Sequence, residues 1–121
     1  MASTEAAKPR RGDVWLVRFG TGEPGEPTKN RPAVVISSQA PGQGSIYDLC
    51  VVVPVSASLR PALSRPLITA APAGLEQVSV AVPNALRGVS PKRLLKRLGH
   101  VDGATMRQID GILAALLGLP L

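Results

Sequence analysis

The side chains that most often carry out catalysis are scarce in this sequence. It has one histidine, His100, and one cysteine, Cys50, among 121 residues, so acid–base chemistry by two histidines is impossible within one chain. A zinc site needs clustered Cys and His ligands, and no glycine-rich nucleotide-binding motif follows an apolar run. We therefore expect no metal site and no cofactor, and we expect His100 to be a surface residue between two helices.

Cations and hydroxyl groups are what the chain offers instead. Lysine and arginine number 14 against 8 aspartate and glutamate, which gives a formal net charge of +6. A guanidinium binds two phosphate oxygens at once and stabilises charge that develops during phosphoryl transfer. RNA carries its own nucleophile, the 2′-hydroxyl, so its cleavage requires neither a covalent residue nor a metal. This inventory is consistent with RNA cleavage but does not identify it, because many basic domains bind no polyanion.

The two ends of the sequence indicate neither secretion nor a membrane anchor. Residues 1–10 lack the apolar core of a signal peptide and are predicted to form a disordered leader. The longest apolar run, near the C-terminus, is too short to span a bilayer. Cys50 lies in the apolar run LCVVVPV, where a buried and reduced thiol is expected. We therefore expect a single cytoplasmic domain at residues 11–121.

Several short apolar segments separated by Gly, Pro and Asn turn signals predict a small β-barrel or sandwich. Three of them are the clearest strands: DVWLVRF at 13–19, RPAVVIS at 31–37 and LCVVVPV at 49–55. The last is almost wholly apolar and is therefore expected to be central. Shorter strands are predicted at 65–70, 79–83 and 86–90, and exposed loops at 20–30 and 39–48.

The period of the pattern changes after Ser90. Residues 91–99, PKRLLKRLG, follow an N-cap serine and begin with a proline suited to a first helical turn, so a short helix is predicted. A longer helix is predicted between an N-cap at Asp102 and a C-cap at Gly118. Its apolar residues leave almost no polar face, which indicates burial on more than one side. The expected fold is mainly β with a C-terminal helix.

Two groups of residues have a plain structural interpretation beside a functional one. Trp15 and Phe19 share one face of the first strand, where core packing is favoured over stacking on bases. Four basic residues repeat at four-residue spacing in the predicted helix 91–99, where they form either a solvated face or a contact for RNA or a partner protein. They are Lys92, Arg93, Lys96 and Arg97.

Three segments resemble the MazF/PemK family of toxins. They are RGDVW at 11–15, GEPTKNRPAVVIS at 25–37 and VPVSA at 53–57, and their order and spacing also fit. The similarity continues weakly to the terminal helix. The resemblance implies an SH3-like β-barrel of the MazF/PemK/CcdB type with a C-terminal helix. It also implies a homodimer, metal-independent cleavage of single-stranded RNA at short sequences, and inhibition by a MazE-like antitoxin.

The resemblance assigns roles to particular residues of this chain. Arg31 matches the family's catalytic arginine, Ser56 stands where a catalytic threonine is usual, and Glu26 matches an acidic loop residue. Ser56 keeps the hydroxyl group, and its alternative role is to cap the turn after the third strand. Glu26 accepts a proton, holds Arg31, or is an exposed loop charge. The RNA contacts expected beside them are Thr28, Lys29, Asn30, Asn84 and Arg87.

One departure from the family concerns substrate choice. Asn84 and Ala85 stand where the family often has an acidic residue and a glutamine. Side chains at such positions read bases, while the phosphate chemistry lies elsewhere. We therefore expect an altered base preference before a loss of activity, and the sequence reveals neither the recognition word nor whether these two residues weaken activity.

Two other functions remain open. A CcdB-like toxin binds DNA gyrase through its C-terminal residues and cleaves nothing, whereas a noncatalytic SH3-like domain only binds nucleic acid. The junction of loop and strand at Arg31 favours the ribonuclease, because a gyrase binder does not need this residue.

Overall fold

The computed structural model describes residues 8–38 and 49–120, and its main feature is a curled antiparallel sheet. The strands are β1 Asp13–Gly20, β2 Lys29–Val35, β3 Cys50–Ser56, β4 Leu67–Ile68, β5 Ser79–Ala81, β6 Arg87–Val89 and β7 Leu94–His100. The helices are α1 Ala70–Ala73 and α2 Gly103–Leu117, with 3₁₀ turns at Pro83–Ala85 and Pro91–Arg93. The prediction of a mainly β fold with a C-terminal helix is confirmed.

Side chains along β1, β2 and β3 alternate between two apolar cores, because successive residues of a strand point to opposite faces. One core gathers Val14, Val34 and Val53 beneath α2. The other contains Trp15 and Phe19, which are 4% and 1% exposed. The prediction that these two aromatic residues belong to the core is confirmed.

β3 lies at the centre of the sheet because it pairs along both edges. The strand order is β4-β5-β3-β2-β1-β7, and β6 pairs with β3 beside this path. β3 therefore pairs with β2 on one side, and on the other with β6 near its start and with β5 at Val55 and Ser56. The central position predicted for this strand is confirmed, and the 3₁₀ turn between β5 and β6 lies beside its middle.

The helix predicted at 91–99 is wrong, because this segment forms a 3₁₀ turn followed by the edge strand β7. The pairing of β7 with β1 shifts register twice, and each shift leaves one extra residue in β7, Leu98 and then Leu95. Such bulges destroy the two-residue period of a regular strand. The two extra leucines are three residues apart, which is a helical spacing.

The four basic residues of this segment therefore do not form helical rows. Two lie in the 3₁₀ turn and two in β7: Lys92, Arg93, Lys96 and Arg97. Arg93 donates a hydrogen bond to the carbonyl oxygen of Arg18 (3.0 Å), and Arg97 pairs with the buried carboxylate of Asp13 (3.2 Å). Two of the four cations thus bind the sheet itself.

Two smaller predictions for this segment have different outcomes. Ser90 is an N-cap as predicted, although of the 3₁₀ turn, and its hydroxyl accepts a hydrogen bond from the N–H of Lys92 (3.3 Å). His100 is exposed as expected. It ends β7 opposite Asp13 and does not lie between two helices.

The strands predicted at 65–70, 79–83 and 86–90 exist but are shorter, and the one-turn helix α1 was not predicted. α1 ends at Gly74, which has a left-handed φ of 71°. A Cβ atom on Gly74 would overlap the carbonyl oxygen of Leu98, and one on Gly99 would overlap that of Pro72. These two glycines let α1 lie directly against β7.

α2 has the predicted bounds and caps. The Asp102 carboxylate accepts a hydrogen bond from the N–H of Thr105 (2.8 Å), which lowers the pKa of this carboxyl group, and Gly118 ends the helix with a φ of 69°. Leu113 is buried against the sheet, but Leu116 is 51% exposed. The expected burial on more than one side is therefore not achieved within one chain.

Two predicted segments fall outside the described residues, the loop at 39–48 and most of the leader, residues 1–7. Residues 21–28 form the other predicted loop, between β1 and β2, and most of them are exposed. Among the residues that the structure describes, no helix is both long and apolar enough to cross a membrane.

Candidate active site

Arg31 lies in β2 just after the loop that follows β1. The strand begins at Lys29, two residues earlier than predicted, and Arg31 pairs with Val17 of β1. Its side chain is exposed, and its Nε atom donates a hydrogen bond to the carbonyl oxygen of Thr28 (3.3 Å). A guanidinium held through Nε keeps its terminal nitrogens available for a ligand.

Ser56 is the last residue of β3 and caps the turn that follows. Its Oγ atom accepts hydrogen bonds from the N–H groups of Ser58 (3.2 Å) and Leu59 (3.3 Å). It also lies 3.2 Å from the Oγ atom of Ser58. The capping contact expected as the alternative role is present, and it leaves the hydroxyl proton free to be donated.

Glu26 is held within its own loop. Its Oε1 atom accepts a hydrogen bond from the N–H of Glu23 (2.8 Å), and its own N–H donates to the Glu23 carbonyl oxygen (3.0 Å). The ion pairs within residues 8–38 and 49–120 are Arg11–Asp110 and Arg97–Asp13. Of the three alternatives for Glu26, the one in which it holds Arg31 has no ion pair to support it in these residues.

One cavity of about 410 Å³ brings four of the candidate residues together. Glu26, Thr28 and Arg31 come from the first loop and β2, and Ser56 comes from the end of β3. A volume of this size falls within the range of about 300–1,000 Å³ that is usual for ligand sites. The cavity therefore combines a guanidinium, hydroxyl groups and a carboxylate in a space that admits part of a nucleotide.

A second cavity, of about 440 Å³, adjoins the first. The two share Gly25, Glu26, Pro27 and Ala85 in their walls. Asn84 and Arg87, both predicted to bind RNA, line the second cavity. The Arg87 guanidinium lies 5.7 Å from the centre of the Phe19 ring, and this cation–π contact fixes a positive charge beside the cavity.

Lys29 and Asn30 line neither of these two cavities in the described part of the chain, although both are exposed in β2. Lys29 has a φ of 62°, in the left-handed region, and it lies opposite Gly20, where the pairing of β1 and β2 shifts register. Lysine rarely adopts this conformation. The bulge where the loop meets β2 is therefore stabilised by contacts with the surrounding residues.

Two polar residues of the first cavity were missed by sequence reasoning: Ser58 and Gln77. The sequence contains an indication for Ser58, because this residue repeats the hydroxyl group of Ser56 two residues later, just after β3. The sequence contains no such indication for Gln77, because its position beside the cavity depends on the pairing of β5 with β3.

Cys50 lies outside both cavities and is 7% exposed, which confirms the predicted burial. Burial raises the pKa of its thiol, against a smaller lowering by the Ser37 hydroxyl, which lies 3.9 Å from Sγ. A thiol with a raised pKa is a poor nucleophile. Across the described ranges, no three His, Cys, Asp or Glu side chains are close enough to hold a metal ion together.

The protein is small and basic, with a curled sheet and a C-terminal helix. Its cavity contains groups that can bind a phosphodiester. The sequence matches the model of PemK-like, MazF-like toxins of type II toxin-antitoxin systems over residues 10–117. The chain therefore belongs to this toxin family.

Individual relatives agree with the family match. Endoribonuclease MazF9 of Mycobacterium tuberculosis is 30% identical over 118 residues, which cover 91% of this chain and 97% of the relative. An endoribonuclease of a mycobacterial species, solved in complex with its cognate antitoxin, has a TM-score of 0.72 at 24% identity and covers 94% of this chain and 99% of its own. MazF of Deinococcus radiodurans has a TM-score of 0.76 at 22% identity, with coverage of 92% and 97%. The two solved structures confirm the fold.

Proposed function

We propose that this MazF-family endoribonuclease cuts single-stranded RNA at a short sequence and needs no metal ion to do so. The observation that carries the proposal is the cavity that joins Arg31 and Glu26 to Ser56, which lies in a different strand. A cation, a hydrogen-bond donor and a proton acceptor are together sufficient to promote attack by the 2′-hydroxyl of RNA on the adjacent phosphate.

The reaction forms a bond from the 2′-oxygen to phosphorus and breaks the bond from phosphorus to the 5′-oxygen. The products are a 2′,3′-cyclic phosphate and a 5′-hydroxyl end: the proton of the 2′-hydroxyl passes to Glu26, and the leaving 5′-oxygen takes up a proton from water. Arg31 binds the phosphate oxygens and stabilises the charge that grows on them in the transition state. A guanidinium stays protonated in proteins, so we assign an electrostatic role to Arg31 and proton acceptance to the Glu26 carboxylate.

Ser56 acts as a hydrogen-bond donor to the phosphate. Two backbone N–H groups occupy the accepting positions of its oxygen, at 3.2 and 3.3 Å. The remaining capacity of the hydroxyl is to donate, either to Ser58 or to a bound phosphate oxygen. The two hydrogen bonds that cap the turn thereby orient the hydroxyl group that we assign to the phosphate.

The second cavity extends the proposed RNA site. Arg87 binds a phosphate on one side of the cleaved bond, and Asn84 meets a base there, while Thr28 contacts the RNA in the first cavity. We assign Lys29 and Asn30 to RNA that leaves the cavity along β2, where both are exposed. Because Ala85 lines both cavities and Asn84 lines the second, we attribute an altered base preference to them.

We further propose a cytoplasmic homodimer that a MazE-like antitoxin inhibits, with its toxin domain at 11–121 behind a leader at 1–10. One related endoribonuclease was solved with its cognate antitoxin. The net charge of +6 favours an acidic partner segment as well as RNA. Three leucines at the end of the chain are about half exposed and suit a dimer contact: Leu116, Leu117 and Leu119.

The test of the function is incubation of the purified protein with a long single-stranded RNA in the presence of EDTA. We expect cleavage to 5′-hydroxyl ends by the wild type. Arg31→Ala should lower kcat by about 10²–10³-fold, because it removes the charge at the phosphate. Its thermal midpoint should be nearly unchanged, since Arg31 is exposed.

The matched control is Arg107→Ala, which removes an exposed arginine of α2 outside both cavities. This variant should cut at the wild-type rate. RNA binding without cleavage would instead support the noncatalytic domain, and inhibition of gyrase without cleavage would support the CcdB-like alternative. Either result contradicts the proposal.

A further inference from the structure

Gln77 lines the same cavity as Arg31 and Ser56, and the proposed cleavage chemistry gives it no role. It lies between α1 and β5, two residues before the start of β5. Its side chain is exposed. The amide of Gln77 is therefore accessible to RNA bound in the cavity.

The position of Gln77 is fixed by the strand that follows it. Ser79 is 6% exposed, and its hydroxyl donates a hydrogen bond to the carbonyl oxygen of Gln77 (3.0 Å). One residue further on, Val80 pairs directly with Ser56 of β3. The register of β5 on β3 therefore brings Gln77 to the end of β3, into the cavity that Ser56 also lines.

The chemistry of Gln77 differs from that of its neighbours in the cavity. The polar side chains beside it are hydroxyls, a guanidinium and a carboxylate, on Thr28, Arg31, Ser56, Ser58 and Glu26. An amide presents a donor and an acceptor side by side, and this pair matches the adjacent acceptor and donor on the edge of a base. Apolar residues such as Pro27, Leu59 and Val82 complete the wall and suit the flat face of a base.

We propose that Gln77 is a specificity-determining residue that reads one base next to the cleaved phosphate through paired hydrogen bonds from its amide. The inference rests on the proposed function, because it takes the phosphate to lie between Arg31 and Ser56. A base that enters the same cavity of about 410 Å³ belongs to one of the two nucleotides that flank this phosphate. The preference at that one position is thus set by Gln77, apart from the preference set at Asn84 and Ala85.

Two substitutions test this reading. Gln77→Ala removes both hydrogen bonds, so the base preference at one flanking position should fall at least about fivefold, as expected for the loss of a paired contact. Gln77→Glu replaces the donor by a second acceptor. Guanine presents two adjacent donors on its Watson–Crick edge, so the relative rate for guanine at this position should rise.

The measurement is the sequence at every cut made in a mixed transcript, followed by kcat/KM on short RNAs that differ at the single flanking base. The matched control is Gln108→Glu, which makes the same chemical change on an exposed face of α2 outside the cavity. This variant should keep the wild-type recognition word. Circular dichroism checks that each variant is folded, as expected for exposed positions.

The outcomes separate the inference from the function on which it rests. A wild type that cuts RNA, with Gln77→Ala and Gln77→Glu variants that retain its base preference at both flanking positions, would overturn the role of Gln77 and leave the ribonuclease in place. An equal change of preference in Gln108→Glu would overturn it as well. A wild type that cuts no RNA would overturn the proposed function itself.

Discussion

The candidate catalytic groups are each held by the backbone of their own turn. Arg31 donates to the carbonyl oxygen of Thr28, the Ser56 oxygen accepts from the turn after β3, and Glu26 accepts from the N–H of Glu23. Because each support is local, an exchange of one side chain leaves the others in place. Substitution of Arg31 therefore reports on chemistry, whereas substitution of Ser56 also removes the cap of its own turn.

Ser56 offers the sharpest test at the scale of single residues. Ser56→Ala removes the donor to the phosphate, so we expect kcat to fall about a hundredfold. It also leaves two N–H groups without their acceptor, which should cost about 1 kcal/mol of stability. Ser56→Thr keeps the hydroxyl and should restore both kcat and the urea midpoint.

Ser64→Ala is the control for this pair, since Ser64 is an exposed serine of the same loop that lines neither cavity. It should match the wild type in both measurements. A Ser56→Ala variant with the kcat of the wild type would show that the hydroxyl only caps its turn.

At the scale of elements, the first three strands and α2 were predictable because their patterns are local. β1 and β3 bury alternate or continuous apolar residues, and α2 carries its own caps at Asp102 and Gly118. β7 was not predictable, because its two bulges arise from pairing with β1, which is far away in the sequence. The extra Leu95 and Leu98 then imitate the spacing of a helix.

The same distinction applies to the site. Arg31 and Ser56 could be proposed from the sequence because Arg31 lies near the start and Ser56 at the end of a strand whose pattern is clear, and because both lie within segments that resemble a known family. Their meeting in one cavity depends on the pairing of β2 with β3. The position of Gln77 in the cavity depends on a further long-range pairing, that of β5 with β3. No pattern in the segment around Gln77 predicts this position.

The contact of α1 with β7 gives a prediction for these elements. A Cβ atom on Gly99 would meet backbone atoms of Pro72 and Ala73, which cannot move aside as a flexible side chain could. We expect Gly99→Ala to destabilise the fold by about 1–3 kcal/mol in urea unfolding.

Gly111→Ala is the matched control, because a Cβ at this position of α2 meets nothing within 4 Å. Alanine is the better helix former, so this variant should gain up to about 1 kcal/mol. Equal stability of the two variants would mean that α1 does not lie against β7 as described.

At the scale of the whole molecule, α2 packs one apolar face against the sheet and leaves other apolar residues exposed. Ile109 and Leu113 are buried, whereas Leu116 and Leu117 are 51% and 55% exposed. Uncovered leucines beside one another favour association. The proposed second copy of the chain would supply the burial that the sequence pattern of this helix predicts.

Light scattering at micromolar concentration tests the assembly. The wild type should have twice the chain mass of 12.6 kDa. The double substitution Leu116→Glu and Leu117→Glu places charges in the proposed contact and should give the single mass. Gln108→Glu, an exposed change earlier on the same helix, should remain a dimer, and a monomeric wild type would contradict the assembly.

In the proposed reaction, this cavity accelerates attack by the RNA's own 2′-hydroxyl. The most direct measurement compares a short RNA that contains one mapped cleavage site with the same RNA carrying a single 2′-deoxy nucleotide just before the cleaved phosphate, both in EDTA. The first should be cut to a 2′,3′-cyclic phosphate and a 5′-hydroxyl end, and the second should bind but remain intact. Cleavage of the deoxy substrate at a similar rate would contradict the claim, because the nucleophile would then have to come from the protein or from water.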